Sequence, residues 1–171
     1  MGTLVLAGAT SGSATLTPVD AVTAVITLPS ATATLATLGA NTFTGNQAIT
    51  GTLSATSSLG YATGAGGTVT QSTDKSTGVT LNKPCGRITM NAASLGANTK
   101  VSFALTNSFI AATEIVVVSL YGAPISGGSY QVWVDFVDGG GVCTITLYNY
   151  SGGALAQAVP INFAVIKSVT S

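Results

Sequence analysis

Ser129-Tyr130-Gln131-Val132-Trp133-Val134-Asp135-Phe136, then Asp138-Gly139-Gly140-Gly141, then Val142-Cys143-Thr144-Ile145-Thr146-Leu147-Tyr148-Asn149 decide the fold. The two outer runs alternate with a period of two, and an Asp-Gly turn joins them, which is a strong hairpin signature. Regular alternation places Tyr130, Val132, Val134 and Phe136 on one face. Cys143, Ile145 and Leu147 share a face of the returning strand.

Working outward, the neighbouring sequence reads as strands as well. Residues 114–120 are a continuous β-branched run, the pattern of a strand buried on both sides. In 100–106 the apolar Val101, Phe103 and Leu105 fall on one face. Residues 87–90 follow a predicted Pro84-Cys85-Gly86 turn, and 68–71 and 78–82 flank the polar segment 72–77. Downstream, Ser151-Gly152-Gly153 bends the chain and 159–167 closes it, with Pro160 suited to an edge or to the start of a strand. Residues 92–98 and 111–114 have room for no more than a helical turn. About eight strands without a helix imply an all-β, jelly-roll-like antiparallel sandwich over residues 68–171.

Before it stands a joint at 59–67, where Gly60, Gly64, Gly66 and Gly67 disfavour helix and strand interior alike. Residues 1–58 differ in composition. They hold one charge (Asp20) and one aromatic (Phe43), whereas every Lys and Arg, both Cys, Trp133, all five Tyr and four of the five Phe lie beyond them. Short Thr-alternating runs at 3–6, 13–17, 22–28, 33–38 and 47–53, punctuated by Gly, Pro and Asn, predict an extended, strand-rich arm. Such an arm has too little aromatic mass to close a core. Its apolar positions, Leu4, Leu6, Leu16, Val25, Ile26, Leu28, Leu35, Phe43 and Ile49, are the candidate anchoring residues, to be covered by another chain. The competing reading is a disordered Thr/Ala-rich leader.

Charge is scarce. Five basic and five acidic residues in 171 make 6% charged and a net charge of zero, against about 25% in a typical soluble domain. That surface has little attraction for nucleic acid or anionic lipid and little self-repulsion. With 46% hydrophobic residues, the expectation is an obligate assembly. The longest apolar run falls far short of a membrane span of about 20 residues. The opening residues lack a basic export signal, so Cys85 and Cys143 are expected as free thiols.

Two sets of residues resemble bacteriophage virion proteins. Ala40-Asn41-Thr42-Phe43-Thr44-Gly45-Asn46-Gln47-Ala48-Ile49-Thr50-Gly51 resembles a repeat of phage tail fibres, present here in one copy, which argues against a long shaft. Gly12-Ser13-Ala14-Thr15-Leu16 with the later Ile26-Thr27-Leu28-Pro29 and Thr34-Leu35-Ala36 resembles a module near the start of phage structural proteins. Beyond the joint, Gly66-Gly67-Thr68-Val69-Thr70-Gln71, the block 75–84, Gly86-Arg87-Ile88-Thr89-Met90 and Asn162-Phe163-Ala164-Val165-Ile166-Lys167 resemble a domain at the tips of phage appendages. The resemblance implies a homotrimer, made in the cytoplasm of a bacterial host and resident in the virion. Its partners would be its own copies and the major capsid protein or another virion protein.

Chemistry is thinly supplied. Histidine is absent, removing the usual general base and the commonest metal ligand. Asp135 and Asp138 read as a solvated face and a turn cap, and neither cysteine has an activating partner. Two thiols without His make a poor zinc site. Gly64-Ala65-Gly66-Gly67 lacks the Lys and the helix of a phosphate loop. No enzyme, cofactor or metal is expected. The aromatics Tyr121, Tyr130, Trp133 and Tyr150 read first as packing and second as a contact surface for a host receptor or surface glycan. The reading is a capsid decoration protein or short head fibre on the capsid surface, anchored through its arm. The alternative is a short tail fibre or receptor-binding tip acting through the loops of its head.

Overall fold

A computed structural model describes residues 4–7, 13–16, 43, 45–122 and 129–169. The chain divides into two units, Met1–Leu53 and Ser54–Ser171. In the first, β1 (Leu4–Ala7) and β2 (Ser13–Leu16) pair antiparallel, with Leu4 opposite Leu16 and Ala7 opposite Ser13. Their pairing gives the facing half of each run's backbone hydrogen-bonding groups partners within the same chain. Leu4, Leu6 and Leu16 are placed on this hairpin by the backbone. The predicted runs 22–28 and 33–38, with Val25, Ile26, Leu28 and Leu35, lie outside the described residues.

The expected strand at 47–53 is not formed; these residues are irregular and exposed. Among the described residues no strand runs beside them, and alternation alone cannot satisfy a lone strand's backbone.

The second unit is all-β, with two four-stranded sheets and no helix among the described residues. Sheet one runs β3 (Gly66–Thr70), β5 (Cys85–Thr89), β10 (Pro160–Ile166), β7 (Ile115–Leu120). Sheet two runs β4 (Val79–Thr80), β6 (Thr99–Thr106), β9 (Val142–Asn149), β8 (Tyr130–Asp138). They share one core. Ile88, Val116, Ile161, Phe163 and Val165 from sheet one meet Phe103, Leu105, Tyr130, Cys143, Ile145 and Leu147 from sheet two. Complete burial of each large aliphatic side chain stabilises by about 1.5–3 kcal/mol before ordering costs.

Neither sheet is purely antiparallel, contrary to the sequence expectation. β3 runs parallel to β5 and β4 parallel to β6, while the remaining pairs are antiparallel. The cause is the path of the chain. From β3 to β6 each strand crosses to the opposite layer, so strands two apart run in the same direction.

Three local readings are also corrected. Gly66 and Gly67 belong to β3, and Cys85 and Gly86 to β5. Glycine is here a packing requirement and not a breaker. A Cβ on Gly86 would lie 2.5 Å from the Gly67 carbonyl oxygen and 2.9 Å from Leu81 Cδ2.

β7 is buried on one face alone: Val116 is buried, while Ile115 and Val117 are 52% and 49% exposed. It lies at the end of sheet one, so its β-branched run reflects strand propensity as well as burial.

Phe136 leaves the face of Tyr130, Val132 and Val134. A β-bulge between Val134 and Phe136 leaves Asp135 unpaired, so Val137 takes the position opposite buried Cys143 and Phe136 turns outward. The following turn is as expected: Asp138 Oδ1 accepts a hydrogen bond from Gly140 N at 3.3 Å, and Gly141 adopts φ +84°.

Candidate interaction surfaces

The ionisable and thiol groups are dispersed. Asp138 caps its turn, and Asp135 sits on the outer face of sheet two, accepting hydrogen bonds from Thr146 Oγ1 and Trp133 Nε1. These bonds, that from Thr146 foremost, hold the Asp135 carboxyl below its ordinary pKa. Both cysteines are free. Burial pushes the Cys143 thiol up to about 11, so at neutral pH it is protonated and unreactive. Glu114 is buried beneath Lys167, whose ammonium lies 2.7 Å from Oε1. That hydrogen bond lowers the Glu114 pKa against the opposing effect of burial.

One buried group carries no signal in the sequence. Lys75 is 3% exposed, and its ammonium donates to the carbonyls of Asn91 at 2.6 Å and Gln157 at 2.5 Å. Gln71 stands beside it, donating to the carbonyls of Lys75 and Thr77 and accepting from Asn91 N. Together they tie the loop after β3 to those before β6 and β10. The contacts are long in range and end on backbone carbonyls, which no local pattern encodes.

The aromatic candidates do not gather at one place. Tyr130 is buried, 4% exposed, and so does not supply the expected surface contact. As the first inward residue of β8 it faces the core, where burial raises its pKa. Tyr121 follows β7, with the Arg87 guanidinium 3.4 Å from its ring centroid. Tyr150 follows β9, 41% exposed, its ring 6.3 Å from that of Tyr148. Trp133 is half-buried on the outer face of sheet two.

Two surfaces remain. The outer face of sheet one brings Ile115 opposite Ile166, Val117 opposite Ala164, and Ala164 opposite Cys85. Near this end, Tyr61, Pro84, Phe109, Val165 and the Lys167 side chain line a groove of about 250 Å³. The Tyr61 hydroxyl donates to the Val165 carbonyl, which fixes one wall of it. Phe109, Ile115, Val117 and Ile166 are 40–52% exposed, giving this part of the unit an apolar surface.

The outer face of sheet two is different in kind. Three rows follow from the register: Gln131, Tyr148 and Lys100; Trp133, Thr146 and Ser102; Phe136, Thr144 and Ala104. Ser102 Oγ and Thr146 Oγ1 are 2.6 Å apart, which extends the Trp133–Asp135–Thr146 chain of hydrogen bonds.

Two of the expected anchoring residues, Phe43 and Ile49, are uncovered. Phe43 is 56% exposed and Ile49 54%. Leu53 at 57% and Leu59 at 76%, which are not among the candidate anchoring residues, behave the same way.

No protein-family model, curated protein or solved structure matches this chain.

Proposed function

We propose that this chain is a structural protein of a bacteriophage virion, a trimeric capsid decoration protein or short head fibre that attaches through residues 1–58 and stabilises the shell. The observation that carries it is the contrast in burial along the chain. Residues after 66 build a closed core, whereas Phe43, Ile49, Leu53 and Leu59 keep half or more of their surface in water. Such a segment gains by lying on foreign polypeptide, at about 25 cal/mol per Å² of apolar area before association costs. The apolar outer face of sheet one gives copies of the folded unit a surface on which to associate. Attachment on the virion, trimer formation and the capsid location rest on the sequence resemblance.

A shortened jelly roll fits the order of strands. β10 lies between β5 and β7, and β9 between β6 and β8, so β5/β10 and β6/β9 nest as in a rolled hairpin. β3 and β4 are parallel additions at the edges.

Deletion of residues 1–58 tests the proposal on purified, undecorated particles. The full chain binds and raises their rupture temperature; the truncated chain stays folded and does neither. A truncated chain that still decorates, or decorated and bare particles that rupture together, overturns it.

A further inference from the structure

We propose that the outer face of sheet two is a glycan-binding platform, on which Trp133 and Phe136 stack against a sugar chain and Gln131, Lys100 and the neighbouring hydroxyls bind its oxygens. This is a separate function from particle attachment, and it places recognition on a sheet face and not on loops.

The bulge at Asp135 is the first observation. Regular alternation would have buried Phe136 with Val132 and Val134; the extra residue turns it out instead, 62% exposed. The same shift seats Val137 against the core opposite Cys143, and it leaves a large aromatic on the surface, as bulges do where they re-aim side chains toward functional surfaces. Trp133 and Phe136 thereby occupy the same face in successive rows, roughly 7 Å apart along the strand. An oligosaccharide can span both.

Preorganisation is the second. The indole N–H of Trp133 is held by Asp135, which Thr146 holds in turn, with Ser102 behind it. The ring is therefore fixed before any ligand arrives, so little rotamer entropy is lost on binding. An aromatic face is the negative side of the ring quadrupole and attracts the polarised C–H groups of a sugar.

Hydrogen-bonding chemistry is the third. Both Asp135 oxygens are engaged, while the Lys100 ammonium lies over the Trp133 ring, 5.3 Å from its centroid, and has no hydrogen-bond or ion-pair partner among the described residues, so it stands at the edge of the platform where it can turn to a ligand oxygen. Gln131 adds an exposed amide in the adjoining row, and Thr144 a hydroxyl beside Phe136. Two aromatic rings set among amide, hydroxyl and ammonium groups complement a polyhydroxylated chain better than the apolar core of a protein interface.

The full chain is tested by calorimetry and by array against neutral hexose and N-acetylhexosamine oligomers of three to six rings and against uronate-containing oligomers. At least one class binds with a dissociation constant in the millimolar range or tighter. Trp133→Ala and Phe136→Ser each weaken it 10-fold or more, while each variant still unfolds cooperatively and attaches to particles as the wild type does. Lys100→Met weakens binding further for uronate oligomers than for neutral ones. Failure of every oligomer to bind, or binding undiminished in the Trp133→Ala, Phe136→Ser double variant, overturns the proposal. So does dissociation of the oligomer by that double variant in sedimentation, since the face would then be a subunit contact.

Discussion

Residues 47–53 and β6 use the same alphabet to different ends. Gln47-Ala48-Ile49-Thr50-Gly51-Thr52-Leu53 and Thr99-Lys100-Val101-Ser102-Phe103-Ala104-Leu105-Thr106 both alternate small or hydroxylated residues with larger apolar ones. The first is irregular and open to water. The second pairs with β9 from Thr99 to Thr106 and buries Phe103 and Leu105. A strand is a property of its neighbours: the period of two says which side chains could share a face, and a second backbone decides whether the face exists.

The largest expected effect breaks or upholds this comparison directly. Leu105→Ala leaves a void among Phe103, Ile145 and the other core residues, and should cost about 2–5 kcal/mol of unfolding free energy in urea titrations. Leu53→Ala removes a similar side chain that is 57% exposed, and should change stability by no more than about 0.5 kcal/mol. Under the proposed attachment the ranking should reverse on particles: Leu53→Ala should weaken binding and Leu105→Ala, once folded, should not. Equal costs in free protein would mean that the leading segment has a core after all.

Glycines sharpen the same contrast at smaller scale. A Cβ on Gly86 meets the Gly67 carbonyl oxygen, Leu81 and Phe163 at 2.5–3.2 Å, while one on Gly51 meets nothing within 4 Å. Gly86→Ala should therefore destabilise by about 1–3 kcal/mol through overpacking. Gly51→Ala should leave the urea midpoint within error. A tolerated Gly86→Ala would show that β3 and β5 can separate without loss.

The strands of the sandwich were legible because alternation, β-branching and the Asp-Gly turn are local signals. Val101, Phe103 and Leu105, and likewise Cys143, Ile145 and Leu147, lie on the faces the period assigns. What was not legible depends on other strands. Phe136 departs because one added residue shifts the register, a change that leaves no mark in the hydrophobic pattern. Gly66-Gly67 and Cys85-Gly86 read as breaks because their reason is each other, across a parallel pair separated by an entire strand of the opposite sheet. The aromatic candidates were legible as residues and not as a site. Sequence groups Tyr121, Tyr130, Trp133 and Tyr150 by composition, whereas the fold sends one to the core and the others to different places.

Lys75 offers a third test, between loop and core. Lys75→Met keeps the length of the stem and removes the donor, leaving the Asn91 and Gln157 carbonyls without their ammonium partner. A cost of about 1–3 kcal/mol is expected. Burial lowers the Lys75 pKa, so the unfolded chain holds this proton more tightly. Wild-type stability should consequently rise with pH between the lowered folded pKa and the ordinary lysine value, and that rise should vanish in Lys75→Met. Parallel pH profiles for the two proteins would show that the ammonium is solvated and the loop ties lie elsewhere.

The smallest effect concerns Glu114, which precedes β7 where the apolar outer face begins. Its carboxylate binds the Lys167 ammonium and accepts a hydrogen bond from Ala111 N, and these contacts outweigh desolvation to depress its pKa. A depressed folded pKa means that the stabilisation is complete above the ordinary glutamate value and is lost as pH falls through the lower, folded one. Glu114→Gln keeps the size of the side chain and removes the charge. Its unfolding midpoint should sit slightly below wild type at neutral pH and converge with it in acid. Because Lys167 is largely exposed, salt should narrow the neutral-pH difference. A difference that persists unchanged in acid would assign the role of Glu114 to packing. The start of β7 would then be held by the burial of Val116 and its neighbours, as the core strands are, and not by charge.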